Sequence, residues 1–256
     1  MKTPNFRLDN RLALVTGAGP GIGGAIAVAL AEAGADVVLL GQRREPLEAL
    51  AGEIAAGGRP APRVVPCDVT DGDAARSAIE ALPRLDVLVN NAGTNIPQPL
   101  EDIDAASFDA IFDLNVRAAF FVTQAAVAKM LEAPDRAETG GSIINISSQM
   151  GHVGSPNRIV YCASKHALEG MTKAMAIELA DRHIRVNTIA PTFVDTPLIR
   201  RIMDTPEKRA FILSHIPLGE MAQLEDMMGA ALYLASSASR MVTGSCVKID
   251  GGWTAQ

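Results

Sequence analysis

The amino-acid sequence predicts an α/β fold of the doubly wound type, in which one parallel sheet of seven strands carries helices on both faces. Short runs rich in Val, Ile and Leu alternate along the chain with longer Ala-rich segments. The apolar runs are uninterrupted, which is typical of strands buried on both faces of a parallel sheet. No linker or change of composition divides the 256 residues, so we expect a single domain over 1–256.

The first half of the chain supplies four strands and three helices in alternation. Leu, Ala and Val in 11–17 predict a strand, and the Gly- and Ala-rich run 21–35 predicts a helix that packs closely on it. The run DVVLLG predicts the second strand, at 36–41, and a glycine pair typical of a C-cap ends the helix predicted over 45–58. The elements that follow are a strand at 63–69, a helix at 72–82 and a strand at 85–93.

The second half repeats the pattern with longer helices. The sequence predicts one long helix over 104–131 and another over 157–182, with the strand SIINISS at 142–148 between them. The remaining predicted elements are a strand at 184–191, a helix at 223–235 and a last strand at 245–250. The least regular stretch, 192–218, contains three prolines. We expect a substrate lobe there, and an ordinary surface excursion is the alternative.

Composition and charge exclude several functional classes. The net charge is −6 with both signs interspersed, which argues against a nucleic-acid binder because such a protein needs a basic face. The three cysteines are far apart and have no metal-ligand spacing, so we expect a reducing cytoplasm and no metal site. The N-terminal residues contain no apolar signal-peptide region. No stretch reaches about 18 uninterrupted apolar residues, so we expect no membrane span.

A glycine-rich turn, TGAGPGIG at 16–23, joins the first predicted strand to the first helix. Phosphate oxygens need backbone N–H groups with no Cβ in the way, and such a turn at a helix N-terminus supplies them. Gly17 lets the chain leave the strand, Gly21 allows close approach of a pyrophosphate, and Gly23 lets helix and strand pack tightly. Because the turn lies between a strand and a helix, it predicts a dinucleotide site rather than a purely structural turn.

Two further motifs follow predicted strands and therefore reach the same sheet edge. Asp68 in CDVTD can accept a hydrogen bond from an adenine amino group, with Val69 against the ring; the alternative is an ordinary helix N-cap. In NNAG at 90–93, Ala92 and Gly93 leave space for a flat ring.

The motif YCASK at 161–165 contains one of only two tyrosines in the chain. Positions i and i+4 of a helix lie on one face, so Tyr161 and Lys165 are expected to point the same way. A free phenol has a pKa of about 10, and a nearby ammonium lowers it. The pair is therefore a candidate proton donor. The alternative is a half-buried tyrosine beside a solvated lysine.

Taken together, these motifs resemble the short-chain dehydrogenase/reductase family, whose Rossmann-type domain binds NAD(P). The resemblance covers essentially the whole chain, and order, spacing and length all agree. The matching elements are TGAGPGIG at 16–23, Asp68, NNAG at 90–93, Asn115, Ser148, YCASK at 161–165, RVNTIAP at 185–191 and DGGW at 250–253.

The resemblance implies a role for each matching residue. Tyr161 is similar to the family's general acid/base, Lys165 to the group that lowers its pKa and holds the nicotinamide ribose, and Ser148 to the hydroxyl that positions the substrate carbonyl. Asn115 corresponds to the position that holds a water in a proton relay with Lys165. Ser147 competes with Ser148, but the spacing to Tyr161 favours Ser148. The implied cofactor-binding residues are Gly17, Gly21, Ile22, Gly23, Gln42, Arg43, Arg44, Asp68, Val69, Asn91, Ala92, Gly93, Tyr161, Lys165, Pro191, Val194 and Thr196.

The implied chemistry is coherent. Hydride transfer from a nicotinamide cofactor to a carbonyl generates an alkoxide, which a phenol activated by a cation can protonate while a serine hydroxyl bonds the developing oxyanion. No metal is required for this reaction. A protein of another class, a catalytically silent NAD(P)-binding sensor, is the rival hypothesis, and the presence of all four polar residues favours the enzyme.

The end of the second predicted strand indicates which dinucleotide is preferred. NAD-preferring members of the family usually have an Asp there, and this chain has Gly41, which removes the repulsion of a 2′-phosphate. Gln42, Arg43 and Arg44 follow, and a guanidinium can hold a phosphate through two hydrogen bonds. The sequence therefore predicts NADP, with NAD as the alternative if both arginines are merely solvated. Pro20 adds no charge to the glycine turn.

Substrate and assembly are also inferred from the resemblance. The tail and the stretch 120–126 are most similar to sugar-acid dehydrogenases that act on gluconate and deoxygluconate, which implies a small carbonyl or alcohol substrate; a 3-oxoacyl-thioester reductase is the alternative. The family resemblance and the apolar surface of the two long helices imply a homotetramer. Polar and basic residues expected near the substrate are His152, Asn157, Arg158, Arg200, Arg201, Lys208 and Arg209.

Overall fold

The computed structural model describes residues 3–196, 199 and 205–255, and it contains one seven-stranded sheet. The strand order is β3-β2-β1-β4-β5-β6-β7, and every neighbouring pair is parallel. The doubly wound prediction is therefore confirmed. The strands are β1 Leu12–Thr16, β2 Asp36–Gly41, β3 Arg63–Pro66, β4 Val87–Asn90, β5 Gly141–Ile146, β6 Ile184–Pro191 and β7 Cys246–Ile249.

Helices cover both faces of the sheet and enclose two apolar cores. One core contains Ile26 and Leu30 of the first helix, and the other contains Ile79 of the third helix and Met130 of the fifth. Burial of these side chains, each almost wholly removed from water, provides the main driving force for the fold. The described α-helices are α1 Ile22–Glu32, α2 Arg44–Ala56, α3 Gly72–Glu80, α4 Ala105–Phe112, α5 Ala119–Leu131, α6 Arg136–Thr139, α7 Ile159–Glu178, α8 Pro206–Ser214 and α9 Leu224–Ala235.

The predicted helix 104–131 is interrupted by a turn of a different kind. Residues Asp113–Ala118 form a π-helix between α4 and α5. The extra residue in such a turn rotates the side chains that follow and is frequently found at functional sites. Asn115 lies within it and is 2% exposed. Hydrophobic pattern alone does not reveal this turn, because the apolar residues continue through it.

Several other boundaries differ from the prediction by a few residues. The strands predicted over 63–69 and 85–93 end at Pro66 and Asn90, because the chain leaves the ladder there to form loops at the sheet edge. The predicted helix 157–182 ends at Glu178 and continues as a short 3₁₀ turn, Ala180–Arg182. Predicted strand and helix ends are the least reliable part of such an assignment.

One continuous helical stretch within the described residues, Ala105–Leu131, is long and apolar enough by length and composition to cross a membrane. Its packing differs from that of a lipid-facing helix. The α5 part contacts α3 and β4, and Val122, Ala126 and Met130 lie in the core. A core helix of a folded domain passes the same test of length and composition.

A cluster of charged residues joins the amino ends of β1, β4 and β5, on the side away from the predicted site. Asp86 is 1% exposed and accepts hydrogen bonds from Arg84 Nε at 2.7 Å and from the Leu12 amide at 3.0 Å. Arg136 Nη2 lies 3.2 Å from Asp86 Oδ1, and Arg11 Nη1 lies 3.4 Å from the same oxygen. Burial raises the pKa of Asp86, but its hydrogen bonds to Arg84 and Leu12 outweigh burial, so the pKa lies below its usual range.

The predicted substrate lobe is only partly within the described residues. Helix α8 begins at Pro206, with the Thr205 side chain accepting a hydrogen bond from the Lys208 amide at 3.3 Å. An aromatic contact connects this helix to the tail, since the His215 ring stacks on Trp253 with centroids 5.1 Å apart. Arg200 and Arg201, which we expected near the substrate, lie outside the described residues.

Candidate active site

The carboxyl ends of the parallel strands bring most of the predicted site residues to one edge of the sheet. The glycine turn follows β1, and Asn91 to Gly93 follow β4. Ser147 and Ser148 are the first two residues after β5. β6 ends at Pro191 on the same edge. In open α/β sheets ligands bind in the crevice outside this edge, near the point where the strand order reverses, which here is between β1 and β4.

The glycine turn has the backbone that its sequence predicts. Gly17 has φ +61° and Gly21 has φ +136°, conformations that residues with a Cβ rarely adopt. A Cβ at Gly21 would meet no atom within 4 Å, so the N-cap of α1 faces open space. The first backbone N–H groups of a helix have no partner within the helix, and no side chain caps α1. The turn therefore fits an anion at this position.

Gly23 and Gly17 are required by packing against the loop after β4. A Cβ on Gly23 would come 2.4 Å from Asn91 Nδ2, and one on Gly17 would come 2.9 Å from Ala92 Cα. Asn91 Nδ2 donates to the Gly17 carbonyl at 2.9 Å and to the Thr16 carbonyl at 3.1 Å. The Thr16 hydroxyl accepts from the amides of Asn91 and Ala92. Asn91 therefore holds the glycine turn and the loop after β4 together through hydrogen bonds.

Helix α7 carries Tyr161 and Lys165 one turn apart and on the same side. Lys165 Nζ lies 5.7 Å from the centroid of the Tyr161 ring. The side chain of Ser148 is close enough to the Tyr161 phenol to lower its pKa. The Ser148 hydroxyl accepts from the Met150 amide at 3.1 Å, which fixes its position. Ser147, the competing residue, is buried and its hydroxyl has no hydrogen-bond partner among the described residues.

The electrostatics of this group differ from the sequence-based expectation. Burial raises the pKa of the Tyr161 phenol, while the nearby Ser148 side chain and the charge of Arg158 lower it to a smaller extent. We expected Lys165 to lower this pKa. Instead, Lys165 is 5% exposed, its Nζ donates to the Ile146 carbonyl at 2.9 Å, and burial lowers its own pKa to about 8. The phenol is therefore protonated at neutral pH, as a proton donor requires.

Asn115 is connected to α7 and to the loop after β4. Its Oδ1 accepts from the Thr94 amide at 2.8 Å, and its Nδ2 donates to the Thr94 carbonyl at 2.9 Å and to Ser164 Oγ at 3.0 Å. A Cβ on Gly93 would lie 3.1 Å from Asn115 Oδ1 and 3.6 Å from Lys165 Nζ, so both side chains face this glycine. The π-turn thus brings Asn115 close to Lys165.

The residues expected to contact the adenosine half of a dinucleotide lie at the ends of β2 and β3. The side chain of Gln42 lies near Asp68, whose Oδ1 accepts from the Thr70 amide and hydroxyl at 2.9 and 2.7 Å. These bonds, chiefly that of the Thr70 amide, hold the pKa of Asp68 below its usual range. Arg43 is the N-cap of α2 and Arg44 Nη1 lies 3.3 Å from Glu48. Both arginines are exposed, and Val69 is buried.

The loop after β6 contains the last three predicted cofactor residues. Pro191 ends the strand and is buried, and Val194, which is 4% exposed, forms a bridge with Ala222. The Thr196 hydroxyl accepts from the Ile199 amide at 3.3 Å. The loop is therefore anchored to the region before α9.

Comparisons with known proteins agree with this arrangement. The family model described as enoyl-(acyl carrier protein) reductase matches residues 17–254. D-threitol dehydrogenase of Mycolicibacterium smegmatis is 39% identical over 254 residues, covering 98% of this chain and 95% of that protein. The chain belongs to the short-chain dehydrogenase/reductase family. Its members use NAD(P) to interconvert alcohols and carbonyl compounds, and this chain is such an oxidoreductase.

Two further members of the short-chain dehydrogenase/reductase family show the breadth of the match. A 3-oxoacyl-(acyl-carrier-protein) reductase of Thermotoga maritima is 40% identical over 254 residues, covering 96% of this chain and 99% of that protein. The solved structure of a gluconate 5-dehydrogenase of Burkholderia cenocepacia, in complex with NADP and tartrate, has a TM-score of 0.92 at 34% identity and covers 99% of each chain.

Several residues that shape this short-chain dehydrogenase/reductase site were not predicted from the sequence. Thr16 connects the glycine turn to the loop after β4, and Ser164, whose hydroxyl donates to the Tyr161 carbonyl at 2.8 Å, connects Asn115 to α7. Both lie inside quoted motifs, TGAGPGIG and YCASK, but their partners are far away in sequence. His152, expected near the substrate, instead faces Glu169 and Cys246.

A pH dependence follows from the environment of Lys165. If the reaction needs its ammonium, kcat/KM for carbonyl reduction by the free enzyme should fall as pH rises through about 8, because the buried amine then loses its proton. The pKa of this group is lower in the folded than in the unfolded chain, so its contribution to stability increases with pH between about 8 and 10.5. A reduction rate that stays constant to about pH 10, the ordinary range of a lysine, would contradict an essential ammonium with a pKa near 8.

Proposed function

We propose that this enzyme reduces a ketone of the polyol or sugar-acid class to the secondary alcohol, and catalyses the reverse oxidation, with NADP as the preferred cofactor. The observation that carries the proposal is the Ser148–Tyr161–Lys165 group at the sheet edge beside the glycine turn. We assign Tyr161 as the general acid/base and Ser148 as the hydroxyl that positions the carbonyl. Lys165 supplies positive charge. We assign Asn115 as the residue that holds a water in a proton relay with Lys165.

The proton chemistry derives from the contacts of these residues. Transfer of a hydride to a ketone leaves negative charge on the oxygen, and the charge must be met by hydrogen bonds and a proton in the same site. The Tyr161 phenol is protonated and Ser148 lies close enough to affect its pKa, so we assign both hydroxyls to the same substrate oxygen. Lys165 Nζ lies 5.7 Å from the centre of the Tyr161 ring, so its ammonium places positive charge beside the phenol.

The chain has the residues needed to hold the cofactor that supplies the hydride. Open space at the N-cap of α1 and the positive φ of Gly21 fit a pyrophosphate. We assign Asp68 and Val69 to the adenine, and Ala92 and Gly93 to the space beside the ring. The residues that we assign to the nicotinamide half are Tyr161, Lys165, Pro191, Val194 and Thr196.

A preference for NADP is supported by the end of β2. Gly41 stands where a carboxylate would repel a 2′-phosphate, and the exposed Arg43 and Arg44 follow it. The side chain of Gln42 lies close enough to Asp68 to lower its pKa, and the arginines are the cationic residues of this loop that can meet a phosphate. Arg44 also pairs with Glu48, which makes Arg43 the stronger candidate.

Replacing Arg43 by Ala is expected to lower kcat/KM for NADP by about ten- to a hundredfold and to leave that for NAD unchanged. The loss corresponds to one charge-assisted hydrogen bond to phosphate, worth about 1.5–3 kcal/mol. Arg59→Ala, at an exposed arginine outside this loop, serves as the control for a general change of charge. Equal loss with both cofactors, or a wild-type preference for NAD, would show that no phosphate site exists here.

The substrate class is supported by the relatives and by a charge beside the phenol. The threitol dehydrogenase and the gluconate dehydrogenase act on hydroxylated molecules. Arg158, at the N-cap of α7, is close enough to Tyr161 for its charge to affect the phenol, and burial lowers the pKa of its guanidinium. A partly buried guanidinium favours a carboxylate or several hydroxyl groups.

Turnover with a panel of substrates tests this proposal. We expect NADPH oxidation with hydroxyketones or keto sugar acids at a kcat/KM at least tenfold above that with 3-oxoacyl thioesters. Arg158→Gln should raise KM for sugar acids more than for uncharged ketoses. A thioester used best would identify the enzyme as a 3-oxoacyl reductase, the alternative suggested by the Thermotoga maritima relative.

We also propose that the protein is located in the cytoplasm, where the three free thiols stay reduced. There we expect four copies to assemble into a homotetramer. The outer face of α4 and α5 exposes Phe108, Phe120 and Phe121 by 40% or more, an apolar surface typical of an interface. Light scattering is expected to give about four times the chain mass of 26.9 kDa. Phe120→Asp combined with Phe121→Asp should lower that mass, and a monomeric wild type would refute the assembly.

A further inference from the structure

Three potential metal ligands meet behind the candidate active site. His152 lies just after β5, Glu169 is on α7, and Cys246 begins β7. The distance from His152 Nε2 to Cys246 Sγ is 3.3 Å, and that to Glu169 Oε1 is also 3.3 Å. The three ligand atoms all lie within 4.8 Å of one another. Cys246 is 94 residues from His152 in sequence, so no spacing motif reveals the cluster.

The carboxylate of Glu169 has a free oxygen directed into the cluster. The residue is 6% exposed, and its Oε2 accepts from the Thr188 hydroxyl at 3.0 Å. Its Oε1 is buried, lies against His152, and makes no hydrogen bond among the described residues. A buried carboxylate oxygen without a hydrogen bond is costly unless a cation or donor meets it. Thr188 fixes the carboxylate in the way that outer residues commonly orient metal ligands.

The arrangement differs from a nucleophilic triad. In a triad the histidine uses one ring nitrogen for the nucleophile and the other for the carboxylate. Here the same atom, Nε2, faces both the thiol and the carboxylate. Burial also raises the pKa of the Cys246 thiol to about 11, which is the opposite of an activated nucleophile. Three potential ligand atoms that converge on one point are the arrangement expected around a bound cation.

We propose that His152, Glu169 and Cys246 bind a Zn²⁺ ion. Tetrahedral zinc with one sulfur, one nitrogen and one oxygen ligand separates the ligand atoms by about 3.4–3.6 Å, close to the two 3.3 Å distances. One thiolate and one carboxylate neutralise the ion, so the buried site carries no net charge. His152 is 23% exposed, which leaves an entry path and a fourth position for water. The ion would join β7 and α7 to the segment that follows Ser148.

The zinc proposal departs from the expectation that the chain holds no metal. The charge of Glu169 raises the pKa of Lys165 against the effect of burial, but the ligands themselves have no assigned role in the reaction. Glu169 lies one helical turn beyond Lys165, and none of the three ligands is among the residues assigned to proton transfer or cofactor binding. The failure of the zinc proposal would therefore leave the proposed function unaffected, and the reverse also holds.

Titration of the full-length reduced protein with Co²⁺, a spectroscopic substitute for zinc, tests the site. We expect one equivalent of Co²⁺ to produce a near-ultraviolet thiolate-to-metal band that added Zn²⁺ removes. Cys246→Ser should abolish the band, and His152→Ala should weaken Co²⁺ binding at least tenfold. Cys67→Ser, at a half-buried thiol outside the cluster, should leave both unchanged.

Two outcomes would overturn the site. One is the absence of a band in the wild-type protein in excess Co²⁺, and the other is an unchanged band in Cys246→Ser. Because His152 is partly exposed, His152→Ala is expected to fold even if the Cys246 variant does not. Unchanged Co²⁺ affinity in folded His152→Ala, verified by circular dichroism, would equally refute the proposal.

Discussion

Replacing Tyr161 by Phe is expected to lower kcat for ketone reduction by about 10²–10⁴-fold, the usual contribution of a general acid. The variant keeps the ring and loses only the hydroxyl, whose pKa the nearby Ser148 affects. Binding of NADPH, measured by its fluorescence, should remain nearly unchanged, because the phosphate-binding turn and the loop after β4 are untouched. The pair of measurements separates loss of chemistry from loss of cofactor.

A matched control is available because the chain contains only one other tyrosine. Tyr233 lies on α9, away from Ser148 and Lys165, and is half-buried. Tyr233→Phe removes the same atom and should change kcat by less than about twofold, since surface or half-buried substitutions without a specific role have small effects. If Tyr161→Phe retains activity similar to that of Tyr233→Phe, another residue supplies the proton.

Replacing Asp86 by Asn is expected to lower the free energy of unfolding by about 3–5 kcal/mol. The change leaves Arg136, which is 5% exposed, facing a neutral group. It also removes the negative charge that Arg84 and Arg11 share and replaces one acceptor oxygen by an NH₂ group. Urea unfolding at pH 7 measures the loss. The pKa of Asp86 is lower in the folded chain, so its contribution to stability is present above about pH 4 and is lost as pH falls below that value.

Asp135→Asn is the matched control for this second prediction. Its carboxylate also pairs with Arg84, at 3.0 Å, but its side chain is 36% exposed. An exposed pair of this kind contributes about 0–1 kcal/mol. Similar losses in the Asp86 and Asp135 variants would mean that the buried cluster has no special role in holding the amino ends of the strands.

The parts of the site that could be predicted depend on local periodicity. The uninterrupted apolar strands indicated a parallel sheet, and the ends of parallel strands necessarily meet at one edge. The spacing of Tyr161 and Lys165 predicted that both lie on one side of a helix, as the structure shows. Ser148 follows β5 at the same edge, near enough to the phenol to affect its pKa, and its choice over Ser147 stays a prediction.

The parts that could not be predicted depend on contacts between distant residues or on burial. The π-turn at Asn115 has no distinct hydrophobic pattern, and the hydrogen bond of Asn91 to Gly17 joins residues 74 apart. The raised pKa of Tyr161 and the lowered pKa of Lys165 both result mainly from burial, which sequence spacing does not give. The cluster of His152, Glu169 and Cys246 requires the complete sheet and α7.

The most direct test of the proposed function follows NADPH fluorescence after a hydroxyketone or keto sugar acid is added to the purified enzyme. The account predicts that fluorescence falls in multiple turnovers, with one alcohol formed for each NADPH oxidised, and that Tyr161→Phe shows binding without this decrease. A wild-type protein that binds NADPH but converts no carbonyl compound of the panel would contradict it, and would identify a cofactor-binding sensor instead.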